Sequence, residues 1–239
     1  MKVLVIGGLH GNEPLGLELY DSLCREPLPN VDVLLGNPAA RRLNRRFVEK
    51  DLNRVFPGNE NGVLEERRAV EIMRRVAGYD VVLDFHNTHC PDNDCAFVGG
   101  ADYERLLSVA SQLGLQRVIV ADYDCVNKYV PGCLSVEISL GSPRCSVEHW
   151  RNTVGELAAL ENLSLISVTL YEFLGRVTKE DQVKFGFKGW RAFQPLPQSD
   201  RVALGLTGSP CPIFIGDSYT PGQYAALVRP RSEIGVFAD

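Results

Sequence analysis

Two short motifs carry residue types that bind metals and move protons. They are Gly7-Gly8-Leu9-His10-Gly11-Asn12-Glu13 and Asp84-Phe85-His86-Asn87-Thr88-His89. An imidazole nitrogen and a carboxylate oxygen are two of the three protein ligands of a catalytic zinc, whose fourth position stays open. His10 and Glu13 stand three apart in a glycine-rich turn, a spacing that lets one turn aim both side chains at one point. Alone, the pair has a duller explanation: a surface histidine, and a glutamate favoured by the dipole at a helix start. A third ligand shifts that balance. His86 is the candidate, with His89 deeper in the same loop as a competitor. Asp84, two before His86, shares its strand face and is either an orienting partner for an imidazole or an ordinary sheet-edge carboxylate.

The elements around these motifs explain why they would meet. Residues 2–6 form a continuous β-branched run ended by two glycines, which predicts a buried strand. Pro14 suits a first helical position, and Leu15, Leu19 and Leu23 recur at helical spacing over residues 14–25. Residues 31–35 read as a second strand. Strand, helix, strand at this spacing favours a parallel crossover unit. Residues 79–85 read as a strand that runs into His86. His10, Glu13 and His86 therefore all lie just past strands, where open α/β sheets keep their active residues.

Between these motifs, residues 36–57 make a long connection containing Asn37-Pro38, Asp51-Leu52-Asn53-Arg54 and five arginines (Arg41, Arg42, Arg45, Arg46, Arg54). Such a loop is usually functional or disordered, and its aliphatic and aromatic residues argue for order. A solvated face is the default for a charge run; anion recognition is the sharper alternative, because guanidinium groups grip carboxylates in bidentate fashion. Residues 62–77 predict an amphipathic helix, 97–98 a short strand, 103–113 a helix, 117–121 and 134–138 strands, and 146–160 a helix capped by Ser146. In the 134–138 strand, Leu134, Val136 and Ile138 share one face, which leaves Glu137 on the other. From about Ser164 the texture changes to short alternating runs, such as 165–173, 183–187, 201–206, 212–216 and 224–228, between Gly/Pro turns. No helical pattern is expected there.

Bulk properties narrow the partners. The chain has 239 residues, enough for one α/β domain or one domain with an appendage. Its net charge of −5 gives no reason to expect nucleic acid or an anionic membrane as partner. No apolar run approaches a membrane span, and Met1 leads straight into a strand, so no signal peptide is expected. Seven scattered cysteines argue against a disulfide framework and for a reducing, cytoplasmic setting. Cys90 and Cys95 flank a loop without a second pair to complete a four-cysteine site.

Taken together, GGLHGNE, the NP…R…DLNR segment, DFHNT and VEIS with a following glycine resemble the aspartoacylase and succinylglutamate desuccinylase family, relatives of the zinc carboxypeptidases. The four motifs occur in the family order over roughly the first 160 residues. The resemblance implies an α/β fold with a carboxypeptidase-like mixed sheet flanked by helices. It also implies a catalytic domain over residues 1–163 and a small all-β domain over 164–239. It implies one Zn²⁺ per chain on His10, Glu13 and His86, and Glu137 as the general base. Arg46 matches the arginine that polarises the scissile carbonyl, and Asn53 with Arg54 the clamp on the amino-acid carboxylate. Asn87 and Tyr123 match pocket residues, and Tyr219 is the nearest counterpart of a late tyrosine that closes the family's site. One position departs from the pattern. Aspartoacylases carry an arginine ten residues before the base, which grips the side-chain carboxylate of N-acetylaspartate; here that position is Asn127, and the nearest cation is Lys128.

The implied activity is zinc-dependent removal of the acyl group from N-acyl amino acids, with N-acetylaspartate the default substrate and weaker discrimination for its second carboxylate. Succinylglutamate desuccinylation and zinc carboxypeptidase action on small peptides are the alternatives. An inactive binding protein of the same fold is disfavoured, because a binder has no use for Glu137. The expected partner is a small acidic molecule, not nucleic acid or membrane, with a homodimer left open.

Overall fold

The computed structural model describes residues 1–100, 103–164, 167–217, 219 and 222–235. In chain order the elements are β1 (Val3–Gly7), α1 (Pro14–Arg25), β2 (Val31–Leu35), α2 (Pro38–Arg42), a 3₁₀ turn (Leu52–Arg54), α3 (Leu64–Arg75), β3 (Val81–Thr88), β4 (Cys95–Val98), α4 (Glu104–Gln112), β5 (Arg117–Val120), α5 (Val126–Tyr129), β6 (Cys133–Ser139), α6 (Val147–Ala159), β7 (Ser167–Thr178), α7 (Lys179–Phe185), α8 (Gln198–Ala203), β8 (Cys211–Ile213) and β9 (Gln223–Gly235).

The strands form one mixed sheet in the order β2-β1-β3-β6-β4-β5-β7-β9-β8. β1 pairs in parallel with β2 on one side and β3 on the other. This reversal of winding direction opens a crevice beyond the carboxyl ends of β1 and β3. β1 is buried on both faces: Val3 and Val5 pack with α1, α4 and α6, while Leu4 and Ile6 pack with α3 and the 36–57 connection. That is why its sequence is a continuous apolar run rather than an alternating one.

The 36–57 connection is ordered by two short elements. Asn37 caps α2 by accepting from the Ala40 N–H at 3.1 Å, with Pro38 at the first position. Asp51 caps the 3₁₀ turn. The buried Glu65 carboxylate then accepts the backbone N–H groups of Val48, Glu49 and Lys50 and the Asn37 amide. Gly11 is required where this connection meets the HGNE turn, since a Cβ there would lie 2.2 Å from the Ala40 backbone.

The expectation of a helix-free stretch after residue 164 is corrected. Thr178 and Asp181 form a reciprocal capping box for α7, and Gly186 ends that helix in the left-handed region. Local capping thus outweighs the alternation of Val183, Phe185 and Phe187. α8 similarly replaces an expected extended run. β7 pairs in parallel with β5, so β7, β9 and β8 continue the same sheet. No described helix is long and apolar enough to cross a membrane.

Candidate metal centre and substrate cleft

His10 and Glu13 lie in the turn between β1 and α1, and His86 lies near the end of β3. All three are almost fully buried. One ligand atom from each converges, all within 4.8 Å of one another. Glu13 bridges the pair, with Oε1 2.7 Å from His10 Nδ1 and Oε2 2.8 Å from His86 Nδ1. The two Nδ1 atoms are 3.1 Å apart. Each imidazole turns its other nitrogen to a carboxylate: His10 Nε2 to Asp51 at 3.1 Å, and His86 Nε2 to Asp84 at 2.5 Å. Imidazoles backed in this way have fixed orientation and raised basicity, the usual support of metal-binding histidines.

The electrostatics also call for a cation here. Burial alone would raise the Glu13 pKa, yet His10 and His86 outweigh it and hold the group well below the usual carboxylate range. Burial would lower the His86 pKa, but Asp84, Glu13 and Glu137 draw it well above the ordinary histidine value. Protons and a divalent metal satisfy the same surplus of carboxylates, and they compete for it. The buried two-nitrogen, one-carboxylate donor set fits zinc.

Glu137 stands opposite His86 in the β3–β6 register, so both reach the same crevice. Its carboxylate makes no hydrogen bond to a described residue. Burial, reinforced by Glu13 and Asp217, pushes its pKa up to about 8 against the pull of His86 and Arg46. Arg46 donates to Glu13 Oε1 and to Asp51 Oδ2, both at 3.1 Å.

The cleft beside this centre is walled by His10, Glu13, Arg46, Asn53, Arg54, Asn87, Tyr123, Asn127 and Glu137 from the N-terminal part, and by Phe173, Arg176, Phe214, Asp217, Gln223 and Ala226 from the C-terminal strands and their loop. Its free volume is about 50 Å³, small beside the ~300 Å³ of typical small-molecule sites. A much larger groove of about 1010 Å³ lies between residues 91–144 and 189–212 and includes none of the three convergent residues. Chemistry, rather than volume, locates the site.

The remaining sequence candidates divide. Arg54 stacks over Tyr123 at 5.0 Å, and its only hydrogen bond among described residues goes to the neighbouring Asn53 carbonyl. Asn53 accepts from the Val126 N–H at 2.9 Å and so ties the arginine loop to α5. Burial raises the Tyr123 pKa to about 12, keeping the phenol neutral. Asn87 lines the cleft, but its amide is committed to the Leu15 N–H and the Ile138 carbonyl. Asn127 also lines the cleft, and its amide donates to the Phe97 and Cys133 carbonyls while accepting from Ser135. Lys128 points away, ion-paired with Asp122 and Asp124. Tyr219 donates to the Asn12 carbonyl at 3.4 Å and packs on His89. His89 itself pairs with Asp217 and stays outside the convergent group. Arg41 pairs with Asp21, and Arg42 and Arg45 are exposed.

Among the charged residues in or beside the cleft, Asp51, Asp217 and Arg176 were not named as site residues from sequence. Asp51 was visible within DLNR, but its contact with His10 spans 41 positions. Asp217 accepts from Thr88 at 3.0 Å across 129 positions. Arg176 sits in a stretch with no motif.

Residues 1–128 match the family model described as succinylglutamate desuccinylase/aspartoacylase catalytic domain. A succinylglutamate desuccinylase of Pseudomonas syringae pv. tomato is 38% identical over 96 residues, 36% of this chain and 29% of that protein. A probable aspartoacylase of Parasynechococcus marenigrum is 36% identical over 132 residues, 47% of this chain and 43% of that protein. The matched stretch thus spans less than half the length of either relative. Among solved structures, the succinylglutamate desuccinylase of Chromobacterium violaceum superposes with a TM-score of 0.70 at 18% identity, covering 96% of this chain and 84% of that one. At that identity the likeness speaks for the fold alone.

Proposed function

The chain belongs to the succinylglutamate desuccinylase/aspartoacylase catalytic-domain family, and on that premise we propose that it is a zinc-dependent amidohydrolase that releases the acyl group from N-acyl amino acids. The observation that carries this reading is the convergence of His10, Glu13 and His86 beside the half-buried Glu137, whose carboxylate makes no hydrogen bond to another described residue. A zinc ion held by the first three residues would supply Lewis acidity, lowering the pKa of water and polarising a carbonyl.

The chain's own residues do the rest. Glu137 accepts the proton of the attacking water and later delivers it to the leaving amine, as a carboxylate placed beside His86 at the crevice can do. Arg46, fixed between Glu13 and Asp51, offers positive charge to the oxygen that becomes anionic in the transition state. Arg54 binds the substrate carboxylate and sets the register of the scissile bond. The C-terminal strands close the cleft on its far side, which favours a small substrate over a peptide.

The test is a panel of N-acetyl and N-succinyl amino acids, assayed for free amine with protein loaded with one equivalent of zinc. Release from at least one class, abolished by chelation and restored by zinc, is the expected result. Cleavage of C-terminal residues from peptides with no action on the panel would replace this reading with the carboxypeptidase one.

A further inference from the structure

Arg176 belongs to the cleft but has no place in the steps above. It sits on β7, far in sequence from every motif, yet it shares the cleft wall with Phe173. Residues three apart on a regular strand point to opposite faces. A register shift between Phe173 and Gly175 in the β7–β9 pairing removes that conflict. The extra residue of such a bulge re-aims the side chains beyond it. Gly175 makes the bulge feasible, since its φ of 154° is one that other residues rarely adopt. The strand is therefore distorted at the point that turns a guanidinium toward the cleft.

The charge pattern shows what that guanidinium lacks. Arg176 lies 5.7 Å from the centre of the Tyr123 ring, the same ring that Arg54 covers at 5.0 Å. Among the described residues, neither arginine has a carboxylate within ion-pair distance, whereas Arg46 has two. Partial burial at the cleft wall and the neighbouring Arg54 charge both push the Arg176 pKa down, although the residue stays partly in contact with solvent. Two like charges flanking one ring repel each other, and an anion between them would relieve that repulsion. Arg54 accounts for one substrate carboxylate, and Asn127 and Lys128 cannot supply the second contact: the Asn127 amide is occupied and Lys128 faces outward.

We propose that Arg176 is a specificity-determining residue that binds a second carboxylate of the substrate, so that this enzyme prefers dicarboxylic N-acyl amino acids. The preference rests on the amidohydrolase reading. On this proposal the second carboxylate is read by β7, which contributes Arg176 to the cleft, and not by the position of Asn127.

The experiment measures binding, so that it stands apart from turnover. Zinc-loaded Glu137→Gln protein, with and without Arg176→Ala, is titrated with N-acetyl-L-aspartate, N-succinyl-L-alanine and N-acetyl-L-alanine. Arg176→Ala should weaken one or both dicarboxylates by about 10- to 100-fold, the usual effect of losing a charge-assisted contact. N-acetyl-L-alanine should change by less than about threefold. Which dicarboxylate responds tells whether the second carboxylate belongs to the amino acid or to the acyl group. Arg176→Lys should recover part of the loss, since it keeps the charge without the planar fork. Equal weakening of all three probes, no weakening of either dicarboxylate, or failure of both to bind the parent would each overturn the proposal. Absence of hydrolysis by the wild type with selective dicarboxylate binding intact would overturn the amidohydrolase reading instead. The Arg176 side chain is exposed and makes no hydrogen bond among described residues, so its truncation leaves the fold standing.

Discussion

The two ends of the cleft are opposite in charge and in how far their groups are already satisfied. At the metal end, Glu13, Asp51 and Asp84 are locked to His10, His86 and Arg46 by contacts of 2.5–3.1 Å. Glu137 adds a fourth carboxylate. At the other end, Arg54 and Arg176 share the Tyr123 ring without a carboxylate between them. The first end is pre-organised and short of positive charge; the second is short of negative charge. A substrate with carboxylates at one end and an amide carbonyl at the other would be oriented by this polarity before any step of chemistry. Positioning of that kind is a large part of what an enzyme contributes to rate.

The sharpest way to break the comparison is at the metal end. His86→Ala should lower zinc affinity by more than ~10²-fold, since even loss of an imidazole's supporting partner costs 10- to 100-fold; competition with a chelating dye measures it. Near-stoichiometric zinc at unchanged affinity would move the site elsewhere. Glu137→Gln should keep zinc and lower kcat by ~10²–10⁴-fold. A kcat within a few-fold of wild type would demote Glu137 to a bystander.

Arg54→Ala acts at the other end. It should lower kcat/KM by ~10²-fold with zinc content unchanged, whereas Arg41→Ala and Lys128→Ala, whose cations pair outside the cleft, should stay near wild type. Equal losses at all three would mean a diffuse electrostatic funnel rather than a clamp.

The smallest effect concerns the link between the ends. Glu65 holds the loop that carries both Arg46 and Arg54. Burial raises its pKa, but the N–H groups of Val48 and Lys50, the Asn37 amide and the Glu49 N–H together hold it below the usual value. A carboxylate depressed on folding contributes stability above its unfolded pKa and loses it as pH falls through the folded value. Glu65→Gln should therefore cost ~1–3 kcal/mol at pH 7, a few degrees in Tm. The gap to wild type should narrow in melts run progressively below pH 4.5. A gap independent of pH would mean that packing, not charge, anchors the loop.

Much of this molecule was legible before folding. The continuous apolar run of β1, the leucine spacing of α1 and the caps of α6 predict elements that the structure contains within a residue or two. α2 and the 3₁₀ turn were too short for any periodicity to register. α7 and α8 were hidden because alternating apolar residues, Val183, Phe185 and Phe187 in one case and Val202, Leu204 and Leu206 in the other, imitate a strand over so few positions.

The sequence by itself determined the chemistry on offer: which side chains can hold a metal, take a proton or grip an anion, and that His10 and Glu13 follow a strand; His86, expected just past one, lies inside β3, two residues before its end. Those are local properties of residue type and period. Only the tertiary structure decided how they combine. Parallel pairing of β1 with β3 and β3 with β6 sets His86 beside Glu137 and both above the HGNE turn. The same folding buried Asn127 in backbone hydrogen bonds and turned Lys128 outward. A bulge at Gly175 brought Arg176 into the cleft from a strand with no motif. The physical reason is that register and face are set by pairing partners distant in sequence, and a one-residue shift in a strand reverses which side chains meet the site.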